Sequence, residues 1–369
     1  MSPMNARLGL QQRVLPEYRV PFFDLLAGSF TKGLSLFAGE PRPKEAIAQG
    51  ELRAAHTWKA NNIHLLDGKY YLCWQGGLLR WLDSWQPDVL ILEANPRYLH
   101  SRAAVHWMRD RNRPVLGWGL GAPPVDGAGA AVRSRLRCSF LSQFDALITY
   151  SAKGAAEYVA CGFPEGRVFI APNAVAQKPL HPAPARPSKL PTGRAVILFV
   201  GRLQARKRLD LLFRACARLP EQMQPLVWVV GDGPVRDELE QLAKEIYPAT
   251  VFHGALHGEA LAPYFSGSDL FVLPGTGGLA VQQAMSFGLP VMVGEADGTQ
   301  VDLVRPENGW SVQPGNLSDL VQTLAEALSD VPRLRRMGAE SYRIVSQEIN
   351  LEKMVTVFED AVQSVWREN

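Results

Sequence analysis

The feature of this chain that most constrains its fold lies in the second half, where short apolar runs alternate with helical patterns of apolar residues. The runs recur roughly every 20 to 30 residues, which leaves room for one helix between consecutive strands. Strands that alternate with helices predict a parallel, doubly wound sheet. The predicted strands are Ala195–Val200, Leu226–Val230, Val251–Phe252, Leu270–Leu273 and Val291–Val293. The predicted helices are Arg208–Arg218, Val235–Ile246, Leu279–Phe287, Leu317–Leu328, Pro332–Ile344 and Leu351–Trp366.

The first half shows the same alternation less clearly, and residues 41–75 give only weak signals. Its predicted strands are Leu34–Phe37, Val89–Leu92, Val115–Trp118, Ala146–Thr149 and Val168–Ile170. Its predicted helices are Leu78–Trp85, Leu99–Arg109, Ala131–Leu141 and Ala152–Ala160. The two halves therefore read as two copies of one α/β architecture.

A chain of 369 residues is too long for one ordinary core and suggests two domains. Five prolines between 177 and 193 exclude regular helix or central strand and indicate a linker. We expect a first domain over 1–178, a proline-rich linker over 179–193 and a second domain over 194–345. Residues 346–369 form a closing helix that could pack back on the first domain.

Composition indicates where the protein is expected to be located and in which state its cysteines are expected. The chain has no apolar run of about 18 residues and no leader pattern at its start, so we expect a cytoplasmic protein that could contact the inner face of a membrane. Its four cysteines, which include no C-x-x-C pair, are expected to be reduced. They are Cys73, Cys138, Cys161 and Cys216.

Charge is unevenly distributed along the chain. Residues 1–178 carry 21 Lys and Arg against 14 Asp and Glu, whereas the remainder carries 18 against 22. A basic first half suggests an anionic partner. No recognised nucleic-acid module is present, so a membrane surface or an anionic lipid acceptor fits better than nucleic acid. Arg133, Arg135 and Arg137 could meet lipid headgroups, although such a run is more often a solvated helix face.

Ligands of an open parallel sheet bind beyond the carboxyl ends of its strands, so the loops after the strands are the places to look for chemistry. After the strand ending at Val200 come Gly201, Arg202 and Lys207. A glycine permits close approach of the backbone, and the two cations with a helix N-terminus supply what a diphosphate needs. The alternative interpretation is a solvated basic loop.

Two further loops of this half are rich in glycine. Gly231 and Gly233 follow one strand, and the run 275–278 follows another. Gln283, on the helix after that run, could bind a ribose diol or could simply be an exposed polar residue. The spacing is not that of a G-x-G-x-x-G dinucleotide site. If the sheet is parallel, the three loops converge on one crevice, and that convergence favours a ligand site.

Residues 195–345 contain five motifs in a fixed order: Val200-Gly-Arg-Leu203 with Lys207, Val230-Gly-Asp-Gly-Pro234, Val251-Phe-His-Gly254, Asp269-Leu-Phe-Val-Leu-Pro274 and Gly278-Leu-Ala-Val-Gln-Gln-Ala-Met-Ser-Phe-Gly-Leu-Pro-Val291. This ordered set resembles that of the family-four retaining glycosyltransferases of GT-B fold. It implies two Rossmann-like domains that face a central cleft.

The resemblance also implies roles for individual residues. Arg202 and Lys207 should hold the donor pyrophosphate and act in catalysis. The other implied donor contacts are Gly201, Gly231, Gly233, Phe252, Gly254, Gly275, Thr276, Gly277, Gly278, Leu279 and Gln283. This chain departs from the family at two places where glutamates are usual, Gly275 and Gln283, and it has Leu120 where many relatives have histidine.

The first half resembles polysaccharide-assembling members, and the implied acceptor or sugar contacts are Tyr18, Arg19, Glu93, Asn95 and Arg97. Glu93 follows an apolar strand, where a charge needs a partner, and Arg97 is the expected one, so an ion pair with a purely structural role is the alternative.

The implied activity moves a sugar, with retention, from a nucleotide diphosphate sugar to a hydroxyl of a glycan or lipid-linked acceptor in cell-surface polysaccharide or glycoconjugate synthesis. No metal and no further cofactor are expected, because the chain lacks a D-x-D dyad and a His/Cys cluster. The alternatives are an inactive nucleotide-sugar-binding scaffold, an epimerase and a basic surface-binding protein.

Overall fold

The computed structural model describes residues 3–45, 47–125, 127, 129–190, 193–276, 279–294 and 302–367. The chain divides into two compact units. The first contains the residues up to Val175 together with those from Leu351 onward, and the second contains Ala176–Asn350. The terminal helix therefore belongs to the first unit.

The first unit is built on an eight-stranded sheet with the order β4-β3-β2-β1-β5-β6-β7-β8. Its strands are β1 Leu8–Val14, β2 Leu34–Gly39, β3 His56–Leu65, β4 Leu72–Gly76, β5 Val89–Glu93, β6 Val115–Gly119, β7 Ala146–Thr149 and β8 Val168–Ile170. Neighbouring strands are parallel except for β3 and β4, which pair antiparallel.

Helices cover both faces of this sheet and enclose two apolar cores. They are α1 Val20–Ala27, α2 Leu78–Trp85, α3 Ser101–Arg109, α4 Ala130–Leu141, α5 Ala152–Ala160 and, from the chain end, α12 Leu351–Val365. On α12, the ring of Phe358 lies 4.9 Å from that of Phe22 and 4.9 Å from that of Trp118. Burial of such aromatic side chains against α1 holds the terminal helix on this unit.

Three strands of the first unit were not predicted from the sequence. In β1, the apolar run is interrupted by Gln11 and Gln12, which are nevertheless buried. In β3 most residues are exposed, so the segment lacks the continuous apolar run of a central parallel strand. β4 lies within the same weakly patterned stretch, and its pairing with β3 depends on a register that only the folded sheet reveals.

The second unit contains a six-stranded parallel sheet with the order β11-β10-β9-β12-β13-β14. Its strands are β9 Val196–Val200, β10 Leu226–Val230, β11 Thr250–Phe252, β12 Leu270–Leu273, β13 Val291–Gly294 and β14 Gly309–Val312. Its helices are α6 Leu209–Ala217, α7 Arg236–Ile246, α8 Ala262–Gly267, α9 Leu279–Ser286, α10 Leu317–Ser329 and α11 Val331–Gln347. The doubly wound architecture predicted for this half is confirmed, and β14 adds an edge strand that was not predicted.

Part of the proline-rich segment is anchored to the second unit by Arg186. Its guanidinium donates to the carbonyls of Phe265 at 2.7 Å and Ser266 at 3.1 Å, and also to that of Ser268, at the end of α8. It donates further to the carbonyl of Phe287 at 3.0 Å, just after α9. One cation thus satisfies carbonyls at the ends of two helices, where the helix dipole favours positive charge.

The expectation of four reduced cysteines is wrong for two of them. Cys138 on α4 and Cys161 after α5 form a disulfide, with their Cα atoms 5.1 Å apart. Cys73 and Cys216 are free and buried. The 23-residue separation of the bonded pair carries no motif in the sequence, and only the packing of α4 beside α5 brings the two sulfurs together.

Candidate functional site

Four loops meet at the carboxyl edge of the second sheet. They follow β11, β10, β9 and β12, which are consecutive neighbours in the sheet. Backbone hydrogen bonds join the loops in one continuous seam: Gly231 to Gly254 at 2.7 Å, Gly201 to Val230 at 3.0 Å, Leu203 to Asp232 at 2.9 Å and Thr276 to Arg206 at 3.0 Å, donor first. The convergence inferred from the sequence is therefore present in the structure.

Glycine is required where these loops touch. A Cβ atom on Gly231 would lie 1.9 Å from the carbonyl oxygen of Gly201, and one on Gly233 would lie 2.2 Å from that of Leu203. Neither contact is possible for a side chain, because the obstructing atoms belong to the backbone. The glycines after β9 and β10 therefore allow the two loops to lie directly against each other.

A cavity of about 490 Å³ opens beside this seam. The residues that line it include four of the predicted donor contacts: Gly201, Arg202, Gly231 and Gly233. Its other residues are Val200, Val230, Asp232, Ala255, Leu256, His257 and Leu261. The lining combines exposed backbone, apolar side chains and few charges, which is the usual make-up of a small-molecule site.

Four cations lie on the loop between β9 and α6, and one of them, Arg208, pairs with Asp210 at 3.1 Å. The other three, Arg202, Arg206 and Lys207, pair with no carboxylate within the ranges that the structure describes. Arg206 instead contacts neutral oxygens, donating to Gln204 at 2.9 Å and to Thr276 at 3.2 Å. Cations that pair with no carboxylate among the described residues leave this edge suited to an anion.

Lys207 is half-buried on this loop. Burial and, second, the nearby positive charge of Arg206 lower the pKa of the Lys207 ammonium to about 8. In the sequence, Lys207 stands directly before the predicted helix Arg208–Arg218. Lys207 closes a single 3₁₀ turn over Ala205–Lys207, and α6 begins only at Leu209 after a left-handed residue, Arg208.

Gly275 brings the β12 loop against the β9 loop. A Cβ atom there would lie 2.1 Å from the carbonyl oxygen of Arg206 and 2.7 Å from the Cα atom of Lys207. The backbone arrangement therefore has no room for any side chain at 275, including the glutamate that is usual in the resembled family. Thr276 then joins the seam through both its backbone N–H and its hydroxyl.

The remaining described residues that were predicted to contact the donor do not line the cavity. Phe252 is half-buried and packs against Phe213, with ring centroids 6.2 Å apart, while Gly254 accepts the hydrogen bond from Gly231. Leu279 is exposed at the first residue of α9, and Gln283 is half-buried on the same helix. Gly277 and Gly278 lie outside the described residues.

In the first unit, Arg19 is a buried packing residue. It is 5% exposed, and its guanidinium lies 5.2 Å from the ring centroids of Trp118 and Tyr150 and 5.3 Å from that of Tyr18. It also donates to the Tyr150 hydroxyl at 3.2 Å and contacts the sulfur of Met354 on α12. Stacking in such a cage ties α12 to the unit and leaves the partly exposed Tyr18 as the more accessible of the two predicted residues.

Glu93 takes its hydrogen bonds from residues other than its expected partner. The backbone N–H of Arg13 donates to its carboxylate at 2.8 Å, and burial raises the pKa of Glu93 to about 7. Asn95 accepts from the backbone N–H of Arg97 at 3.1 Å, and Arg97 itself is exposed. Of the five predicted acceptor residues, Tyr18 and Arg19 therefore lie just before α1. The other three lie at or after the carboxyl end of β5, and the five differ in exposure.

Sequence reasoning missed Arg206 and the segment Ala255–His257. Arg206 lies between two predicted site residues in the same basic loop, and its charge alone could have drawn attention to it. The segment Ala255–His257 carries no sequence signal, because it lines the cavity only through the position of the chain after β11.

The described residues contain no group of three His, Cys, Asp or Glu side chains placed to hold a metal ion. No helix within the same ranges is both long and apolar enough to cross a membrane.

Comparison with known proteins identifies the second unit. Residues 184–344 match the family described as glycosyl transferases group 1. The sulfoquinovosyl transferase SQD2 of Arabidopsis thaliana is 37% identical over 145 residues, which is 37% of this chain and 27% of that protein. The chain therefore spans about a quarter of that relative's length. The D-inositol 3-phosphate glycosyltransferase 2 of Catenulispora acidiphila is 29% identical over 345 residues, covering 86% of this chain and 76% of that protein.

Comparison of structures extends the likeness to the whole fold. The Anabaena protein Alr3699/HepE, solved in complex with UDP, superposes with a TM-score of 0.69 at 16% identity, covering 98% of this chain and 100% of that one. Both Rossmann-like units take part in that match, which shows the GT-B fold. Residues 184–344 are thus similar to the group 1 glycosyl transferases, and the two units together have the GT-B fold.

Proposed function

We propose that this protein is a retaining glycosyltransferase that moves a sugar from a nucleotide diphosphate sugar to a hydroxyl of a glycan or lipid-linked acceptor. The observation that carries the proposal is the seam of four loops at the carboxyl edge of the second sheet, where Arg202 lines a cavity of about 490 Å³. Arg206 and Lys207 lie on the same loop, and none of the three cations pairs with a carboxylate among the described residues. A fold shared with a protein that binds UDP supports a nucleotide as the ligand.

In this proposal the nucleotide lies along the glycine loops, and its pyrophosphate meets the guanidinium of Arg202 and the ammonium of Lys207. Both cations stabilise the negative charge that grows on the leaving diphosphate as the glycosidic bond to the donor breaks. The acceptor hydroxyl attacks the anomeric carbon from the face that the diphosphate leaves, and a phosphate oxygen takes its proton. The nucleotide sugar is a co-substrate, and the proposal needs no metal and no further cofactor.

The acceptor side of the proposal belongs to the first unit. Tyr18, Glu93, Asn95 and Arg97 remain proposed contacts, whereas the cage around Arg19 supports a structural role for that side chain. The proposed setting is cell-surface polysaccharide or glycoconjugate synthesis on the cytoplasmic side of a membrane.

Contact with an anionic membrane is proposed for the first turns of α4. There Val132 is 62% exposed and Leu136 57% exposed, and Arg133 and Arg135 are exposed between them. Apolar side chains flanked by arginines suit a surface of anionic lipid. Sedimentation with phosphatidylglycerol vesicles, but not with phosphatidylcholine vesicles, is expected, and equal sedimentation of wild type and Arg133→Glu would contradict the assignment.

The function is tested by thermal shift with UDP-, GDP- and dTDP-sugars, followed by donor hydrolysis and transfer. A donor at about 100 times its dissociation constant adds about 2.7 kcal/mol of apparent stability. We expect Arg202→Ala to reduce turnover on the order of 10²-fold. The matched control is Arg214→Ala, which removes an exposed arginine from α6 in the same unit.

Each outcome has a distinct meaning. Full activity of Arg202→Ala with normal donor affinity refutes the assignment of that residue. Donor binding without hydrolysis or transfer by the wild-type protein favours the inactive scaffold over the enzyme.

A further inference from the structure

A polar groove in the first unit arises because β3 extends beyond its neighbour β2. The two strands are in register up to Gly39 opposite Ala60. Beyond this point β3 continues to Leu65 and pairs only with β4, while the chain after β2 turns away through residues 40–43. The groove left between them has a volume of about 550 Å³. It lies at the carboxyl end of a parallel strand, where ligands of such sheets bind.

We call this feature the hairpin groove. Its lining contains six polar side chains and three small apolar residues. They are Glu40, Arg42, Lys59, Asn61, Asn62 and His64 with Pro41, Pro43 and Ala60.

One wall of the hairpin groove is held rigid by Arg42. Its guanidinium donates to Glu45 at 2.8 and 3.1 Å and to Asp67 at 2.7 Å, and lies 4.5 Å from the ring centroid of Tyr71. Glu45 in turn accepts from the largely buried Arg13 at 2.8 Å. A wall fixed by so many contacts loses little conformational freedom when a ligand binds.

The floor is fixed in the same way. The amide of Asn62 donates to the carbonyls of Arg13 at 2.7 Å and Glu40 at 2.9 Å, and its oxygen accepts from Gln75 at 2.8 Å. His64 is held by a 2.8 Å hydrogen bond between Nδ1 and the Tyr71 hydroxyl. These residues define the shape of the groove. We expect the exposed side chains of the lining to make the contacts with a ligand.

Those exposed side chains carry balanced charge. The Lys59 ammonium lies 2.6 Å from the Glu40 carboxylate, and the two side chains are 75% and 62% exposed. Arg42 is likewise paired with carboxylates, so each cation among the described lining residues of the hairpin groove is paired with a carboxylate. This is the opposite of the arrangement around Arg202 and Lys207 in the second unit.

We propose that the hairpin groove binds a neutral saccharide, the glycan portion of the acceptor. Lys59 offers hydrogen-bond donors, Glu40 offers acceptors and the Asn61 amide offers both. Together these side chains can bind the vicinal hydroxyls of an uncharged ligand. Pro41 and Pro43 offer apolar surface to the C–H faces of a sugar ring. The identification of this saccharide as an acceptor rests on the proposed function, whereas its binding does not.

The test is saturation-transfer NMR on the full chain with three neutral trisaccharides: maltotriose, mannotriose and cellotriose. At least one is expected to bind the wild type, and Asn61→Ala and Lys59→Ala should each weaken that binding at least fivefold. Thr57→Ala, an exposed residue of β3 outside the groove, is the matched control and should bind as the wild type does. Melting temperatures establish that each variant is folded. The substituted side chains are all exposed, so we expect none of them to unfold the unit.

The proposal is overturned if no trisaccharide binds the wild type, if both groove variants bind unchanged, or if inorganic phosphate displaces the trisaccharide. Hydrolysis of UDP-glucose and GDP-mannose is measured on the same wild-type preparation. A protein that binds the trisaccharide but neither binds nor hydrolyses a donor contradicts the proposed transferase and leaves the saccharide site standing. The reverse result contradicts only the saccharide site.

Discussion

The charge of Lys207 should make nucleotide-sugar affinity depend on pH in the weakly alkaline range. In the protein without a ligand, burial and the neighbouring Arg206 lower the pKa of the Lys207 ammonium to about 8. A bound pyrophosphate supplies the negative charge that this ammonium lacks among the described residues, and so raises its pKa again. The ligand therefore binds the protonated form more tightly, and affinity falls as pH rises through 8.

The size of the effect follows from the titration of one group. Between pH 6.5 and pH 9.0 the protonated fraction of a lysine with a pKa near 8 falls from about 0.97 to about 0.09. If only the protonated form binds well, the dissociation constant rises about tenfold, which is about 1.4 kcal/mol. The pyrophosphate of a nucleotide sugar is a diester whose charge is constant over this window, so the phosphates themselves add no pH dependence.

The measurement is isothermal titration calorimetry with UDP-glucose or GDP-mannose, whichever binds more tightly, at pH values across this window. Lys207→Arg is the matched control, because a guanidinium stays protonated throughout. Its affinity should be flat with pH, whereas Lys207→Met should bind weakly at every pH. A flat profile for the wild type, or a wild-type slope retained in Lys207→Arg, would refute the reasoning.

Two further predictions concern the scaffold of the site. Gly275→Ala should weaken nucleotide-sugar binding at least about tenfold, because its Cβ would meet the Arg206 carbonyl at 2.1 Å and force the loops apart. Titration of this variant beside Gly166→Ala, which adds a Cβ in open space, checks the claim, and equal affinities would contradict it. Arg186→Met should lower the free energy of unfolding by about 2–4 kcal/mol, because several helix-end carbonyls lose their donor. Calorimetry measures the unfolding transition of this variant beside that of Lys189→Met, which replaces an exposed neighbour. Equal unfolding free energies in the two variants would show that the Arg186 contacts contribute little.

Much of the second unit could be predicted from the sequence because its signals are local. The runs Leu226–Val230 and Leu270–Leu273 are apolar without interruption, as expected of strands buried on both faces. Their positions predict where the loops begin, and the parallel order predicts that those loops meet. The glycines at 231 and 233 could be assigned to close approach on the same grounds, although the atoms they approach could not be named.

The first unit was harder to predict because several of its strand residues are polar and yet buried in the interior. Gln11 on β1 and Gln75 on β4 are buried and bond to each other, so neither strand shows an apolar period. The hairpin groove was missed for the same reason, since it depends on how far β3 extends past β2. No pattern in residues 56–65 encodes that length difference.

The α/β class, the repeated architecture and the basic, glycine-rich loops after the strands of the second unit follow from the amino-acid sequence alone. The partners of individual side chains follow only from the folded chain: Arg19 with its aromatic cage, Glu93 with the Arg13 backbone, and Cys138 with Cys161. The difference arises from the distance along the chain over which each effect acts. Periodicity and turn chemistry act over a few neighbouring residues, whereas a partner 80 or 131 positions away is selected by the packing of whole elements.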